Sequence, residues 1–438
     1  MDQFIAGLSA VTILIAIPLT VLKPSWLFYL FLICTVFANI LGGHVYAAGN
    51  LGLPRAWQPG DVLGWLTLAA AVTLPRNDRL PPEVMKKCMA VIAILSAASL
   101  ALGLVLYFDR ALTHSRALHF VPAMLFAGRY LTNTTRINTF LRFTTSLLLL
   151  MFVVHVSVRF GVYTPPISRE VTGGQLVGER GEDALALVLY LALISMALGR
   201  FGNQHGSRAL SAVMLLTGLC GAALSETRTL YGAVAGLGLV AVLFVRGRIR
   251  SVIILALALC LVLWAAAETG FDLTARFRAH FGRGRLVMPF SQGPTWRTLE
   301  YQLILRSYIR EPFLIFTGRG IGATHTIPGT GFIGADISYY HSEYLGWLDK
   351  LGLLGLAAFL TMCGACLRRS FRLARSRIKP LGYYGSTVFL LMAALMAFGL
   401  LNPCFMNLRS GALLICFVGL IANLHGIHDS FQSRRCTF

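Results

Sequence analysis

The feature that most constrains the fold is a series of long, nearly uncharged apolar runs. Many of them approach about 20 residues, the length that a helix needs to cross a hydrocarbon core of about 30 Å. Charged residues make up 13% of the chain, about half of what soluble domains carry. Because a membrane β-barrel needs short segments of alternating polarity instead, the sequence predicts an all-α polytopic membrane protein. The candidate spans, about twelve or thirteen in number, lie at 4–22, 25–42, 61–75, 87–107, 116–131, 138–158, 183–199, 209–224, 229–245, 251–268, 344–366, 381–401 and 409–424.

Basic residues in the short connections predict the orientation of these spans. Arginine clusters occupy 246–250 and 368–379, and the stretch 76–87 is also basic. Such an excess of Lys and Arg is typical of cytoplasmic loops. Placing these connections in the cytoplasm puts the loops 159–182 and 269–343 on the outer face, together with the short turns 225–228 and 402–408. The second of these loops, at about 75 residues, is too long for the positive-inside bias to explain its charge.

The chain therefore divides into four predicted regions. These are N-terminal helices (1–182), central helices (183–268), one large periplasmic loop containing helices (269–343), and C-terminal helices with a cytoplasmic tail (344–438). The formal net charge of +20 would suggest nucleic acid as a partner of a soluble protein. Because the large basic loop is predicted to lie outside the cell, nucleic acid is disfavoured here, and an anionic lipid surface or a phosphorylated glycan fits better.

Two arginines of the outer face are candidates for binding an anion. Arg228 lies in a tight turn between two apolar helices, where an arginine is costly unless it snorkels or is paired. It is either such an anchor, a partner of Glu226, or a phosphate ligand, because its planar fork donates two parallel hydrogen bonds. Arg297 lies near the start of an amphipathic helix predicted over 296–310. Backbone N–H groups favour anions there, although a solvated helix arginine is the simpler interpretation.

His341 is the candidate for acid–base chemistry, because histidine titrates near neutrality and can take a proton from a hydroxyl. It begins the predicted helix 341–366, where a purely structural histidine is the alternative. Arginines for a diphosphate and a histidine for an attacking hydroxyl together suit a lipid-linked diphosphate substrate. The secondary candidates on the same face are Arg169, Arg319, Glu343 and Tyr344.

Other catalytic and cofactor motifs are missing from the sequence. It has no HExxH, no P-loop and no D-x-D pair, so neither a metal site nor a cofactor is predicted. There is also no Gly-x-Ser-x-Gly nucleophile. The glycine-rich turn at 317–323 does not follow a strand, which favours close backbone packing or a substrate turn over a nucleotide loop.

The order of these residues resembles the bacterial O-antigen ligase and polymerase superfamily over about 184–366. The matching elements are Arg228 at the outer turn, Trp296-Arg297, Glu311-Pro312-Phe313 with the glycines that follow, and His341-Ser342-Glu343-Tyr344-Leu345 leading into Lys350-Leu351-Gly352-Leu353-Leu354-Gly355. The last is the most specific of them. Thr227 and Ser342 replace the Ser and Asn that the family often has, which leaves the arginine and histidine matches intact.

The resemblance implies a glycosyltransferase of the bacterial inner membrane whose active site faces the periplasm. Such enzymes move a glycan from undecaprenyl diphosphate to a hydroxyl, which belongs to lipid A–core in ligases and to another repeat unit in polymerases. One dominant outer loop favours the ligase. The implied mechanism is direct displacement with inversion and without a metal, in which Arg228 and Arg297 hold the diphosphate and His341 is the general base. The expected partners are the lipid-linked donor, the lipid A–core acceptor and membrane lipids.

Two further functions stay open at this point. The first is a protein O-oligosaccharyltransferase. The second, from a different class, is a transporter or flippase for an anionic lipid. The transporter hypothesis predicts ionisable residues buried in mid-span and broken helices. The spans from 183 onward carry few charges, which counts against that hypothesis.

Overall fold

The computed structural model describes residues 18–37, 59–74, 83–160, 187–225, 228–244, 296–326, 336–337, 342–407 and 410–435, with three single positions besides. Helices dominate these residues. They are α1 Pro24–Val36, α2 Pro59–Thr73, α3 Glu83–His114, α4 Phe120–Tyr130, α5 Thr134–Arg159, α6 Tyr190–Asn203, α7 Arg208–Leu224, α8 Arg228–Phe244, α9 Trp296–Arg310, α10 Leu314–Thr317, α11 Glu343–Ala374, α12 Lys379–Phe398 and α13 Gly411–Arg435, with 3-10 turns at Ser115–Leu118 and Leu187–Leu189. Two-residue strands, β1 His325–Thr326 and β2 Asp336–Ile337, pair antiparallel.

Several helices are long and apolar enough to cross a membrane. Among the described residues there are four, at Val84–Phe108, Thr134–Arg159, Glu343–Ala374 and Lys379–Phe398. Shorter apolar helices of 10 to 17 residues accompany them, including α1, α2, α7 and α8. The prediction of an all-α membrane protein is therefore confirmed in its coarse form.

The predicted spans coincide with helices wherever the structure describes the chain. The spans predicted at 4–22 and 251–268 lie almost wholly outside the described residues. Three helices extend well beyond their predicted ends: α3 continues past 107 to His114 with a kink at Tyr107, α11 continues to Ala374, and α13 continues to Arg435. The helix in 116–131 is only 11 residues long, about 16 Å, which is short for a bilayer core.

α12 lies at the centre of the described bundle. It packs against α6, α8 and α11, while α13 packs against α4 and α6 packs against α7. The apolar window of α12 is 78% buried, whereas that of α3 is 28% buried. A lipid-facing helix can leave most of its apolar surface exposed to the bilayer, so α3 lies at the edge of the bundle and packs on α11.

Short polar residues mark where several helices begin. The side chain of Asn133 accepts a hydrogen bond from the N–H of Arg136 at 2.8 Å at the start of α5. Ser207 caps α7 through the N–H of Leu210. Both bonds satisfy a backbone donor that the first helical turn leaves unpaired. α12 begins with a proline in its first turn, where its missing N–H costs nothing.

Candidate functional site

The buried carboxylate of Glu343 organises the start of α11. It accepts hydrogen bonds from the backbone N–H groups of Cys404 at 2.5 Å and of Phe405 and Met406 at 3.1 Å each. The indole Nε1–H of Trp347 donates a fourth bond at 2.6 Å. Charge-assisted hydrogen bonds are the strong ones, and a carboxylate in the first turn of a helix also complements its dipole. Glu343 therefore fixes the 402–407 loop against the start of α11.

The same end of α11 is tied to the end of α12. The backbone N–H of Glu343 donates to the carbonyl of Gly399 at 2.8 Å. The hydroxyl of Tyr344 donates to the carbonyl of Met396 at 2.6 Å. Ser342 is buried, and its hydroxyl lies 3.5 Å from the Gly399 carbonyl oxygen. The residues next to His341 are thus held by backbone groups of another helix.

The start of α8 joins this cluster through one side-chain contact. Asn402 donates from Nδ2 to the hydroxyl of Thr229 at 2.5 Å. The hydroxyl of Tyr231 donates to the carbonyl of Ala223 at 2.8 Å and ties α8 to the end of α7. Arg228 is the first residue of α8. Its neighbour Thr229 therefore lies beside the 402–407 loop that Glu343 binds.

α9 rests on the first turns of α11. Ile304, Tyr308 and Leu345 form a small buried cluster, and the hydroxyl of Tyr308 donates to the carbonyl of Leu348 at 2.9 Å. Burial raises the pKa of the Tyr308 phenol, and the nearby Asp349 carboxylate raises it further. The phenol therefore stays protonated and keeps donating its hydrogen bond.

A neighbouring face of α9 is apolar and exposed. Tyr301, Leu305 and Ile309 are 48%, 62% and 71% exposed, and their spacing of four residues places them on one stripe of a helix. Phe313, directly after the helix, is 73% exposed. An exposed apolar stripe on a helix is typical of a segment that lies in a membrane interface.

α11 is broken nine residues after Glu343. Gly352 has φ of 70° and ψ of −175° inside the helix. We name 343–351 the short half-helix and 353–374 the long half-helix. The long half-helix alone measures about 33 Å, enough to cross a hydrocarbon core. The short half-helix is therefore not needed to span the membrane.

A charged cluster lies at this break. Arg319 donates to Asp349 through Nε at 2.7 Å and through Nη2 at 3.1 Å. The Nζ of Lys350 lies 3.2 Å from Oδ2 of Asp349, the oxygen that Arg319 reaches through Nη2. It also donates a hydrogen bond to the carbonyl of Ala323. The Asp349 side chain is fully buried. Buried charges in a membrane protein are costly and are found paired with one another, as they are here.

The glycine-rich turn packs into the break and onto α3. We name residues 318–323 the glycine loop. A Cβ on Gly322 would lie 2.8 Å from the backbone N of Ala111, and one on Gly103 would meet the Ile321 carbonyl. The N–H of Ile321 donates to the carbonyl of Ser99 at 3.1 Å. Of the two roles predicted for this turn, close backbone packing is the one that the contacts support.

The structure describes only some of the predicted site residues. His341 and Arg169 lie outside the described residues, and for Arg228 and Arg297 only the helical position is described. Arg319, Glu343 and Tyr344 all have partners within the protein. Among the described residues, no group of three or more His, Cys, Asp or Glu side chains is placed to hold a metal ion.

Sequence reasoning assigned no site role to four contributors to this region. They are Ser99, Asp349, Lys350 and Asn402. The adjacent Asp349-Lys350 was a visible signal, because an ionisable pair inside an apolar run is a functional or structural site by default. Nothing in the local sequence marks Ser99 or Asn402, whose partners are distant in the chain.

These apolar helices, with the exposed apolar stripe on α9 and the paired charge cluster at the break in α11, are typical of a polytopic helical membrane protein. Residues 212–360 match the family model described as O-antigen ligase. These residues, from α7 through the break in α11, are similar to that family, and the resemblance predicted for this part of the chain is confirmed. A comparison with curated proteins found no match.

Proposed function

We propose that the chain is an O-antigen ligase of the bacterial inner membrane. In this proposal it moves O-antigen polysaccharide from undecaprenyl diphosphate to a sugar hydroxyl of lipid A–core at the periplasmic face. One observation carries the assignment of the site: hydrogen bonds run from Thr229 through Asn402 and the 402–407 loop to Glu343. They connect the chain neighbours of Arg228 with those of His341, which supports one shared site.

The proposed reaction is a direct displacement at the anomeric carbon. The acceptor hydroxyl oxygen forms the new bond to that carbon while the bond from carbon to the diphosphate oxygen breaks. His341 takes the hydroxyl proton, and undecaprenyl diphosphate leaves with the electron pair. Arg228 and Arg297 stabilise the charge that develops on the leaving group. Because a diphosphate is already an activated leaving group, the proposed step uses no metal and no nucleotide.

His341→Ala tests the general base. We expect transfer in membranes to fall by about a hundredfold or more, with the protein still present at its normal level. His205→Ala is the matched control, since His205 lies in the turn before α7, at the end away from Arg228. If His341→Ala retains transfer at the level of the control, the base assignment is wrong.

The lipopolysaccharide of a strain lacking the chain separates ligase from polymerase. A ligase defect leaves unsubstituted lipid A–core with accumulated undecaprenyl-linked polymer. A polymerase defect leaves core that bears one repeat unit. An unchanged profile on the gel overturns both activities. Transfer between the two purified lipids in the presence of EDTA tests the absence of a metal.

A lipid-linked glycan transporter is the second candidate, because one specific observation favours it. Asp349 and Lys350 are buried beside a break in α11, which is a feature of many transporter sites. The glycine loop fills this break, however, and the charges are paired with each other and with Arg319. In liposomes, movement of the lipid-linked glycan across the bilayer without covalent transfer would support the transporter.

A further inference from the structure

The break at Gly352 is specified by backbone conformation and by close approach. A Cβ on Gly352 would lie 2.1 Å from the Phe316 carbonyl oxygen and 2.7 Å from the N of Gly318. A φ of 70° with ψ of −175° belongs to a region that only glycine adopts readily. The chain therefore leaves the helix here in order to receive the glycine loop.

Two carbonyl groups just before the break are taken by donors from other parts of the chain. The carbonyl of Asp349 accepts the N–H of Arg319 at 2.7 Å. The carbonyl of Lys350 accepts the hydroxyl of Ser99 at 2.7 Å. Unpaired backbone carbonyls at a buried helix end are costly. The glycine loop and α3 together therefore cap the short half-helix.

Charge reinforces this cap. Arg319 and Lys350 are two cations beside the C-terminal end of the short half-helix, where the helix dipole favours positive charge. The Asp349 carboxylate accepts both ends of the Arg319 fork. A bidentate pair fixes orientation as well as distance. Arg319 thereby holds both the main chain and the side chain of Asp349.

We infer that Asp349 and Arg319 are positioning residues, which set the place of the short half-helix and of the transfer chemistry at its start. The inference rests on the proposed function, in which His341 precedes that half-helix by two residues. The pair acts at one end of a rigid segment, and Glu343 locks the other end onto the 402–407 loop. Neither Asp349 nor Arg319 is assigned a contact with substrate.

The chain offers a matched pair as a control. Asp61 accepts the Arg116 Nε–H at 3.1 and 3.0 Å and lies 3.1 Å from Nε2 of His119. Asp349 has the same kind of surroundings, with one arginine and one further basic side chain. Both pairs are largely buried. The Asp61 pair joins α2 to the turn after α3 and does not cap the short half-helix.

The test compares Asp349→Asn with Asp61→Asn in purified, full-length protein. We expect Asp349→Asn to lower kcat for glycan transfer by about a hundredfold, the loss that a misplacement of about 1 Å can cause, while KM for the lipid-linked donor stays close to wild type. Asp61→Asn should retain kcat at equal folded protein. Arg319→Lys keeps the charge but loses the fork, so we expect an intermediate kcat.

Hydrogen exchange gives a second readout that is independent of activity. We expect amides of 343–351 to exchange faster in Asp349→Asn and to be unchanged in Asp61→Asn. Equal effects of the two variants on kcat and on exchange overturn the positioning role. If wild-type protein transfers no glycan to lipid A–core, the proposed function fails, and the exchange result still decides whether the pair holds the short half-helix.

Discussion

Replacing Gly352 by alanine should destabilise the protein. The same replacement at Gly364, twelve residues later in the same helix, should not. Gly352 has a positive φ that a Cβ strains by about 1–3 kcal/mol. Its Cβ would also meet the Phe316 carbonyl oxygen at 2.1 Å, a backbone atom that cannot rotate away. A Cβ on Gly364 would have nothing within 4 Å, and alanine is favoured over glycine in a helix by up to about 1 kcal/mol.

The magnitude for Gly352→Ala follows from what must move. Relieving the contact pushes the glycine loop out of the break, which lengthens the bond from the Arg319 N–H to the Asp349 carbonyl. Losing one such hydrogen bond while its acceptor stays buried costs about 1–3 kcal/mol. Together with the strain, we expect a loss of about 2–6 kcal/mol in the free energy of unfolding. Gly364→Ala should lie between no change and a gain of about 1 kcal/mol.

Reversible unfolding in mixed micelles measures the free energy of unfolding of both variants. The fluorescence of buried Trp347 serves as the probe of the short half-helix. The two alanine substitutions have the same chemistry and lie in one helix, so the difference between them isolates the break. If Gly352→Ala is as stable as Gly364→Ala, the close packing of the glycine loop into the break is refuted.

Three further predictions concern the helices around the break. Glu343→Gln should lower the free energy of unfolding by about 2–4 kcal/mol, because an amide leaves at least one of the four donors unpaired. As a control, Glu311→Gln at an exposed position should change that free energy by less than about 0.5 kcal/mol. Burial, with nearby cations, lowers the pKa of His114 to about 4, so the unfolded state binds the proton first as the pH falls. The free energy of unfolding should therefore decrease between about pH 6.5 and about pH 4, and His114→Gln should make that decrease smaller. A spin label at Leu305 should be more accessible to oxygen than one at Arg306 in bilayers, and equal accessibility would remove α9 from the membrane interface.

The positions of the helices could be predicted from the sequence because a bilayer imposes one solution on long apolar runs. Backbone groups in hydrocarbon must be satisfied within the segment, and a helix does so. The break at Gly352 was not predicted, because a glycine in an apolar run resembles an ordinary packing residue. Its conformation depends on the glycine loop, which is about 30 residues away in the chain.

The contacts of the candidate site were less predictable for a related reason. Glu343 and Tyr344 were expected near substrate, and in the structure they bind backbone groups of residues 396–406. Every residue except proline carries a backbone N–H, and every residue carries a C=O, so such partners leave no signature in the sequence. The charged pair Asp349-Lys350 did leave one, because charges within an apolar run need partners.

The short half-helix depends on its two ends together. It has about nine residues, and helices of that length are marginal without tertiary contacts. Glu343 holds its start, Arg319 and Ser99 hold its end, and Tyr308 holds its side. A segment fixed as one rigid unit should lose its position when either end is released, so the second release should add little. We therefore expect the double variant Glu343→Gln with Asp349→Asn to lower kcat by no more than about threefold beyond the worse single variant, since residues acting as a unit are strongly non-additive. Losses in kcat that multiply would mean that the two ends act on the chemistry independently, and the short half-helix would then not be the element that carries the effect.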